Sequence, residues 1–157
     1  MPRDQRKVVK REIYPDWKYN SVLIKKFINK INFRGKKSVA ENIVYKAMGL
    51  IEEKVKQNPL RVVTEAIEKA RPLLIVKPRR VGGATFQVPI QVKPEHSQSL
   101  AMRWIIDFAC QRKGKPMYQK LAEEILDAYQ GQGLAIKKRE DTHKMAEANR
   151  AFAHYRW

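Results

Sequence analysis

Gly82-Gly83 lies between two runs of alternating apolar and polar residues, and this pair constrains the architecture more than any other feature of the chain. Adjacent glycines reach the positive φ angles that a tight reversal needs, so the flanking runs are predicted to fold back as a β-hairpin over residues 73–92. On the C-terminal side Phe86, Val88, Ile90 and Val92 alternate with Thr85, Gln87, Pro89 and Gln91, the period of a strand with one face on a core. Leu73 to Val76 supply the partner strand, and Lys77-Pro78-Arg79-Arg80-Val81 read as a basic loop tip. Pro89 donates no ladder hydrogen bond and implies an edge or unpaired position. A two-stranded ribbon is marginal alone, so it must root in a larger body.

That body reads as helical. Leu23, Ile24, Phe27, Ile28 and Ile31 recur at three and four from a start at Asn20 or Ser21, with Gly35 as the stop. Ser38 and Glu41 have capping-box spacing, after which Ala40, Ile43, Val44, Ala47, Met48, Ile51 and Val55 form one stripe. Asn58-Pro59 is a cap followed by a first-turn proline, opening a third helix with Val63, Ala66, Ile67 and Ala70 inward and Pro72 at its end. After Pro94 a fourth helix puts Ala101, Trp104, Ile105 and Phe108 on one face. A fifth runs from Pro116 through Tyr118, Leu121, Ala122, Ile125 and Tyr129, and a sixth starts near Gly133. The fold class is therefore mainly α: a single domain of about six helices with one protruding β-hairpin between helices three and four.

Charge narrows the function. In 157 residues, 33 Lys and Arg face 16 Asp and Glu, a formal net charge of +17 that attracts polyanions. No apolar run has the length of a membrane-spanning helix, and no apolar stretch follows the polar N-terminus as a secretory leader requires. The one cysteine, Cys110, cannot form an internal disulfide and fits a reducing compartment. Residues 1–19 read as a basic arm, with Arg3, Arg6, Lys7, Lys10, Arg11 and Lys18 interleaved with Ile13, Tyr14, Trp17 and Tyr19, which could pack or stack. Further cations cluster at the hairpin, at Arg112-Lys113-Gly114-Lys115, and at Lys137-Lys138-Arg139. The last group stands near a helix start, against the helix dipole, and hints at an external anion.

Catalytic chemistry has little to stand on. His96, His143 and His154 show no metal-ligand spacing, Glu140, Asp141 and His143 are better read as a charged helix turn than as a metal site, and Cys110 reads as packing. Gly82-Gly83 lacks the phosphate-loop and dinucleotide patterns. No catalytic residue, metal or cofactor is assigned, and the chain is read as a nucleic-acid binder rather than an enzyme. RNA is favoured, because basic loops with Gly and aromatics suit an irregular folded surface. The alternative is a helical regulator that binds duplex DNA through helices two and three; against it, helix three carries Glu65 and Glu68 where a groove-reading helix should be basic.

Two long strings sharpen this reading: Arg79-Arg80-Val81-Gly82-Gly83-Ala84-Thr85-Phe86-Gln87-Val88-Pro89, and the ending from Lys137-Lys138-Arg139-Glu140-Asp141 through Met145-Ala146-Glu147-Ala148-Asn149-Arg150-Ala151-Phe152-Ala153-His154-Tyr155-Arg156. With Gly35-Lys36-Lys37-Ser38 and Ala101-Met102-Arg103-Trp104, they make the chain resemble the bacterial-type small-subunit ribosomal protein seven family over nearly its whole length. The resemblance implies a primary binder of small-subunit ribosomal RNA that nucleates the head, the 3′ major domain. It also implies a position at the subunit interface, near the decoding region, the messenger RNA exit path and exit-site transfer RNA, beside small-subunit ribosomal proteins nine and eleven. The implied location is the ribosome of the cytoplasm, bacterial or organellar.

Carried over by position, ribosomal RNA would be held by Arg3, Arg6, Lys7, Lys10, Arg11, Arg34, Lys36, Lys37, Lys77, Arg79, Arg112, Lys113, Lys115 and Met117. Transfer RNA and neighbouring proteins would be faced by Arg80, Val81, Gly82, Gly83 and Lys144, and by Arg150, Phe152, His154, Tyr155, Arg156 and Trp157. The implied organisation is an arm at 1–19, a helical RNA-binding domain at 20–149 and a basic aromatic tail at 150–157.

Overall fold

The computed structural model describes residues 12–155. Six α-helices, a two-stranded antiparallel sheet and a terminal 3₁₀ helix follow one another: α1 (Val22–Ile31), α2 (Lys37–Val55), α3 (Pro59–Ala70), β1 (Leu74–Val81), β2 (Ala84–Gln91), α4 (Pro94–Gln111), α5 (Met117–Tyr129), α6 (Leu134–Ala148) and the 3₁₀ helix Arg150–Tyr155. The predicted class holds, with the hairpin between helices three and four.

Helix starts follow local chemistry. Ser21 Oγ accepts from the Ile24 amide at 3.5 Å, and Asn58 Oδ1 accepts from the Leu60 amide at 3.0 Å with Pro59 in the first turn. The predicted capping box is not formed. Lys36 is the N-cap of α2, and Ser38 falls inside the first turn. Glu41 instead reaches Lys25 Nζ at 3.4 Å, tying α2 to α1, so the carboxylate is spent between helices rather than on the backbone.

Ile24, Phe27 and Ile28 of α1 and Val62, Val63, Ala66, Ile67 and Ala70 of α3 are buried at the three-and-four spacing of an inward stripe. α5 is central, packing against α2, α3 and α4. On α4 the fully buried residues are Ala101, Met102, Ile105 and Ala109, while the predicted Trp104 and Phe108 pack only at the margin of the core. α4 touches α1, α3, α5 and α6, and small side chains at its centre permit that close approach.

The hairpin lies within the predicted span of 73–92, but its strands run further toward the turn and its tip is different. Arg79 pairs with Phe86, Arg80 with Thr85, and Val81 with Ala84, so the basic residues read as a loop tip are strand residues and the reversal is Gly82-Gly83 alone. Both glycines have positive φ, 56° and 88°, as a two-residue type I′ turn requires. The Val92 amide donates to the Leu73 carbonyl at 3.0 Å, which makes every second pair along the ribbon a hydrogen-bonded one. Pro78 and Pro89 therefore fall on non-bonded pairs, where the missing N–H costs nothing.

Candidate nucleic-acid interface

The site is distributed over several elements, with cations lining three grooves. At the hairpin root, Lys77 of β1 and Lys93 line a groove of about 300 Å³ with Ile75, Ile90, Val92 and His96. α4 begins one residue after Lys93, and His96, Ser99 and Arg103 recur along it at the three-and-four spacing of one helix face. Beside this face lie Lys26, Asn29 and Lys30 of α1, lining a groove of about 330 Å³ with Gln98 and Ser99. Lys30 and Arg103 then share a further groove of about 300 Å³ with Ile106 and Asp107. Burial, and secondly the nearby Arg103 guanidinium, hold the Lys30 ammonium below its ordinary pKa. Like charges held together at a partly buried seam invite an anion between them. Sequence reasoning missed Lys26, Lys30 and Arg103; their signal is the polar i, i+4 spacing on α1 and one cation on the polar side of α4.

The predicted residues divide. Arg34, Lys36 and Lys37 are exposed in the α1–α2 loop and first turn of α2. Arg34 has a left-handed φ of 53° and its guanidinium lies 5.1 Å from the ring centre of Phe33, itself 72% exposed. Lys77, Arg79 and Arg80 are exposed on β1, and because successive strand residues alternate, the two arginines leave the ribbon on opposite faces. Val81 is half-buried and Gly82 and Gly83 are exposed, as are Lys113, Lys144 and Arg150. Arg3, Arg6, Lys7, Lys10, Arg11, Arg156 and Trp157 lie outside the described residues.

Several assignments from the sequence turn inward. Arg112 donates through Nε and Nη2 to Glu124 Oε2 at 3.0 and 2.5 Å, and also meets Asp127 and Glu123. Glu124 is fully buried and its other oxygen accepts from the Ala135 amide at 3.2 Å, pinning the start of α6. Lys115 Nζ is 2.5 Å from Glu123 Oε1, a hydrogen bond that holds the Glu123 carboxyl below its ordinary pKa. Met117 opens α5 half-buried against the core, with its sulfur 3.9 Å from Cys110 Sγ. Of that predicted loop cluster, Lys113 alone presents an exposed cation without a partner contact among those observed. Arg139, expected to face an anion, donates to the Lys69 carbonyl at the end of α3.

The C-terminal aromatics are also partly spent. Phe152 and Tyr155 each place a ring 5.2 Å from Phe86 of β2, and His154 lies against Tyr155 at 3.9 Å. The segment read as a basic aromatic tail is, through Tyr155, a 3₁₀ helix seated on the ribbon. At the ribbon's root the Leu73 amide donates to His143 Nε2 at 2.9 Å.

Residues of the predicted arm behave alike. Asp16 is 1% exposed: Oδ2 accepts from the Lys18 and Tyr19 amides at 3.1 and 3.3 Å, and Oδ1 accepts from the Tyr45 hydroxyl at 2.7 Å. Burial first, then this bond, raises the Tyr45 phenol above its ordinary pKa. Residues 16–19 thus belong to the body.

Among the described residues no group of His, Cys, Asp and Glu could hold a metal ion, and no helix is long and apolar enough to cross a membrane. A helical body with a protruding ribbon and cations lining grooves along α4 and α1 defines a class of basic helical protein. Comparison makes this specific: the chain belongs to the family described as ribosomal protein S7p/S5e, whose model matches residues 2–150. It is 60% identical over 157 residues to small ribosomal subunit protein uS7 of Dictyoglomus turgidum, covering 100% of both chains. It is 55% identical over 157 residues to the Nitrosococcus oceani protein of that name, again covering 100% of both. With the Thermotoga neapolitana uS7 it shares 56% identity over 153 residues, 98% of this chain and 99% of the relative.

Proposed function

We propose that the protein is a structural constituent of the small ribosomal subunit that binds small-subunit ribosomal RNA directly and nucleates folding of the head. The observation that carries this reading is the set of cations lining three grooves, Lys77 and Lys93 at the ribbon root, Lys26 and Lys30 beside Glu95, and Lys30 with Arg103 beside Asp107. Each phosphate neutralised there releases condensed counterions, giving strong, salt-sensitive affinity. Arg34, Lys36, Lys37, Lys113 and the arm residues Arg3, Arg6, Lys7, Lys10 and Arg11 extend the RNA contact. Lys36 and Lys37 stand at a helix start, where the dipole favours anions over cations, which is consistent with phosphates neutralising them from outside.

In this reading Arg79 joins the ribosomal RNA surface while Arg80, on the opposite face of the ribbon, turns with Gly82, Gly83, Lys144 and Arg150 toward exit-site transfer RNA, the messenger path and the ninth and eleventh small-subunit proteins. The protein acts in the cytoplasmic ribosome. The duplex-DNA alternative loses support at α3, where Arg61 is 2.7 Å from Glu65 and Arg71 is 2.6 Å from Glu68, so both arginines are paired within their own helix region. Footprinting of the purified protein on small-subunit ribosomal RNA, against duplex DNA at matched salt, tests the assignment. Protection confined to the RNA of the head supports it; a preferred duplex site would overturn it.

A further inference from the structure

Trp17 is 77% exposed and Tyr14 78% exposed, yet the turn that carries Trp17 is closed by a buried side chain. The buried Asp16 carboxylate closes it through two amides and the Tyr45 hydroxyl, and the Asp16 amide donates to the Ser21 carbonyl at 3.2 Å. Asn20, in the left-handed region at φ 45°, returns the chain to α1. Trp17 meets the Tyr45 ring perpendicularly, with centres 5.8 Å apart and an interplanar angle of 86°. The Lys18 ammonium lies 5.3 Å from the centre of Tyr45 and 5.5 Å from that of Tyr19.

A buried carboxylate that closes one exposed tryptophan's turn and ties it to α2 sets this ring apart from a stray surface apolar residue. Fixing an indole in solvent lowers no folding free energy by itself, since the ring is left wet; what it lowers is the ordering cost of whatever later covers the ring. The perpendicular contact uses one edge or one face of the indole and leaves a whole face free for a planar partner. The adjacent Lys18 charge selects an anionic occupant, and a group both planar and anionic along its chain is a nucleotide.

We propose that Trp17 is a stacking platform for an unpaired nucleobase of the bound RNA, with Lys18 beside the phosphate of the same nucleotide. This rests on the ribosomal RNA reading above and adds to it a recognition of single-stranded bases. Stacking is indifferent to salt, whereas phosphate contacts are not, so the two can be told apart.

The full chain carrying 5-fluorotryptophan has three fluorine resonances, one for each of its three tryptophans, and Trp17→Phe assigns the one of interest. On titration with a transcript of the small-subunit ribosomal RNA, the Trp17 resonance should move by the ring current of a stacked base. Trp17→Ala should weaken binding roughly 5- to 100-fold with an unchanged salt slope, and Trp17→Phe should keep most of the affinity. An unmoved Trp17 resonance in saturated complex, with full affinity in Trp17→Ala, overturns the stacking while leaving RNA binding intact. A resonance that moves only when neighbouring proteins join the subunit reassigns the ring to a protein contact and equally overturns it. Absence of RNA binding by the parent chain would remove the functional reading itself.

Discussion

Arg112 Nη2 lies 2.5 Å from Glu124 Oε2, and the contact makes a cation on a surface loop the partner of a fully buried carboxylate. Because Glu124 also holds the first turn of α6, the pair joins the α4–α5 loop to the helix that supports the ribbon.

Arg112→Met should therefore cost stability rather than RNA affinity. An unpaired buried carboxylate costs about 3 kcal/mol, the lower end for breaking a buried pair, since the Arg112 side chain is itself 28% exposed. Urea unfolding should show the loss, and the salt dependence of RNA binding should keep its slope. A stable variant with a shallower slope would return Arg112 to the RNA surface.

The row along α4 and α1 carries the opposite expectation. Lys26→Ala, Lys30→Ala and Arg103→Ala together should leave thermal unfolding nearly unchanged and weaken RNA binding. Each lost contact should make the slope of log affinity against log salt shallower by about 0.7 to 0.9. Filter binding at several salt concentrations reads this.

His143 governs the pH response of the ribbon root. Burial, and secondly the Arg139 charge, hold its pKa below the ordinary value, and Arg71, Glu68, Glu147 and Arg150 line the grooves around it. The neutral Nε2 accepts the Leu73 amide; a protonated ring cannot. The unfolded chain takes up its proton first as pH falls, so this stabilisation is full above about 6.5 and is lost as pH falls through the lowered folded value. The protection of the Leu73 amide against hydrogen exchange, measured relative to its intrinsic rate at each pH, should fall in acid, and His143→Phe should abolish that pH-dependent loss.

Gly133 starts α6 at φ +92°, and a Cβ there would lie 3.0 Å from Asp127 Cβ. Gly133→Ala should lower stability by at least about 1 kcal/mol, since both the backbone conformation and the approach to α5 oppose it. Chemical denaturation measures the change.

What was legible in the sequence was whatever local chemistry decides. Asn58-Pro59 announced α3 by its cap, Gly82-Gly83 announced the turn, and the stripes of α1 and α3 named their buried residues. What was hidden depended on partners far along the chain. Nothing local to Asp16 or Glu124 marks either as buried, and each is so because Tyr45 or Arg112 meets it from another element. The resemblance places Arg112 and Lys115 at ribosomal RNA, while the fold reveals that acids on α5 face both cations. Phe152 and Tyr155 lacked a helical stripe and read as reachable, because their partner Phe86 lies on a strand over sixty positions earlier.

The ribbon and the terminal helix should matter after RNA capture. Removing Arg80 to Ala84, or ending the chain after Asn149, should leave ribosomal RNA affinity within a fewfold of the parent while weakening retention of exit-site transfer RNA in reconstituted subunits. Because the shortened chain also uncovers Phe86, its ribbon should exchange amide protons faster. Heads that fail to assemble would move these elements into the RNA anchor.

Binding of the full chain to small-subunit ribosomal RNA across a salt series, with duplex DNA of equal length alongside, weighs the whole reading. With about six to eight phosphates neutralised, log affinity should fall against log salt with a slope of roughly −4 to −7, and the RNA should be preferred at every salt concentration. A slope near −1, or equal affinity for the duplex, would contradict it.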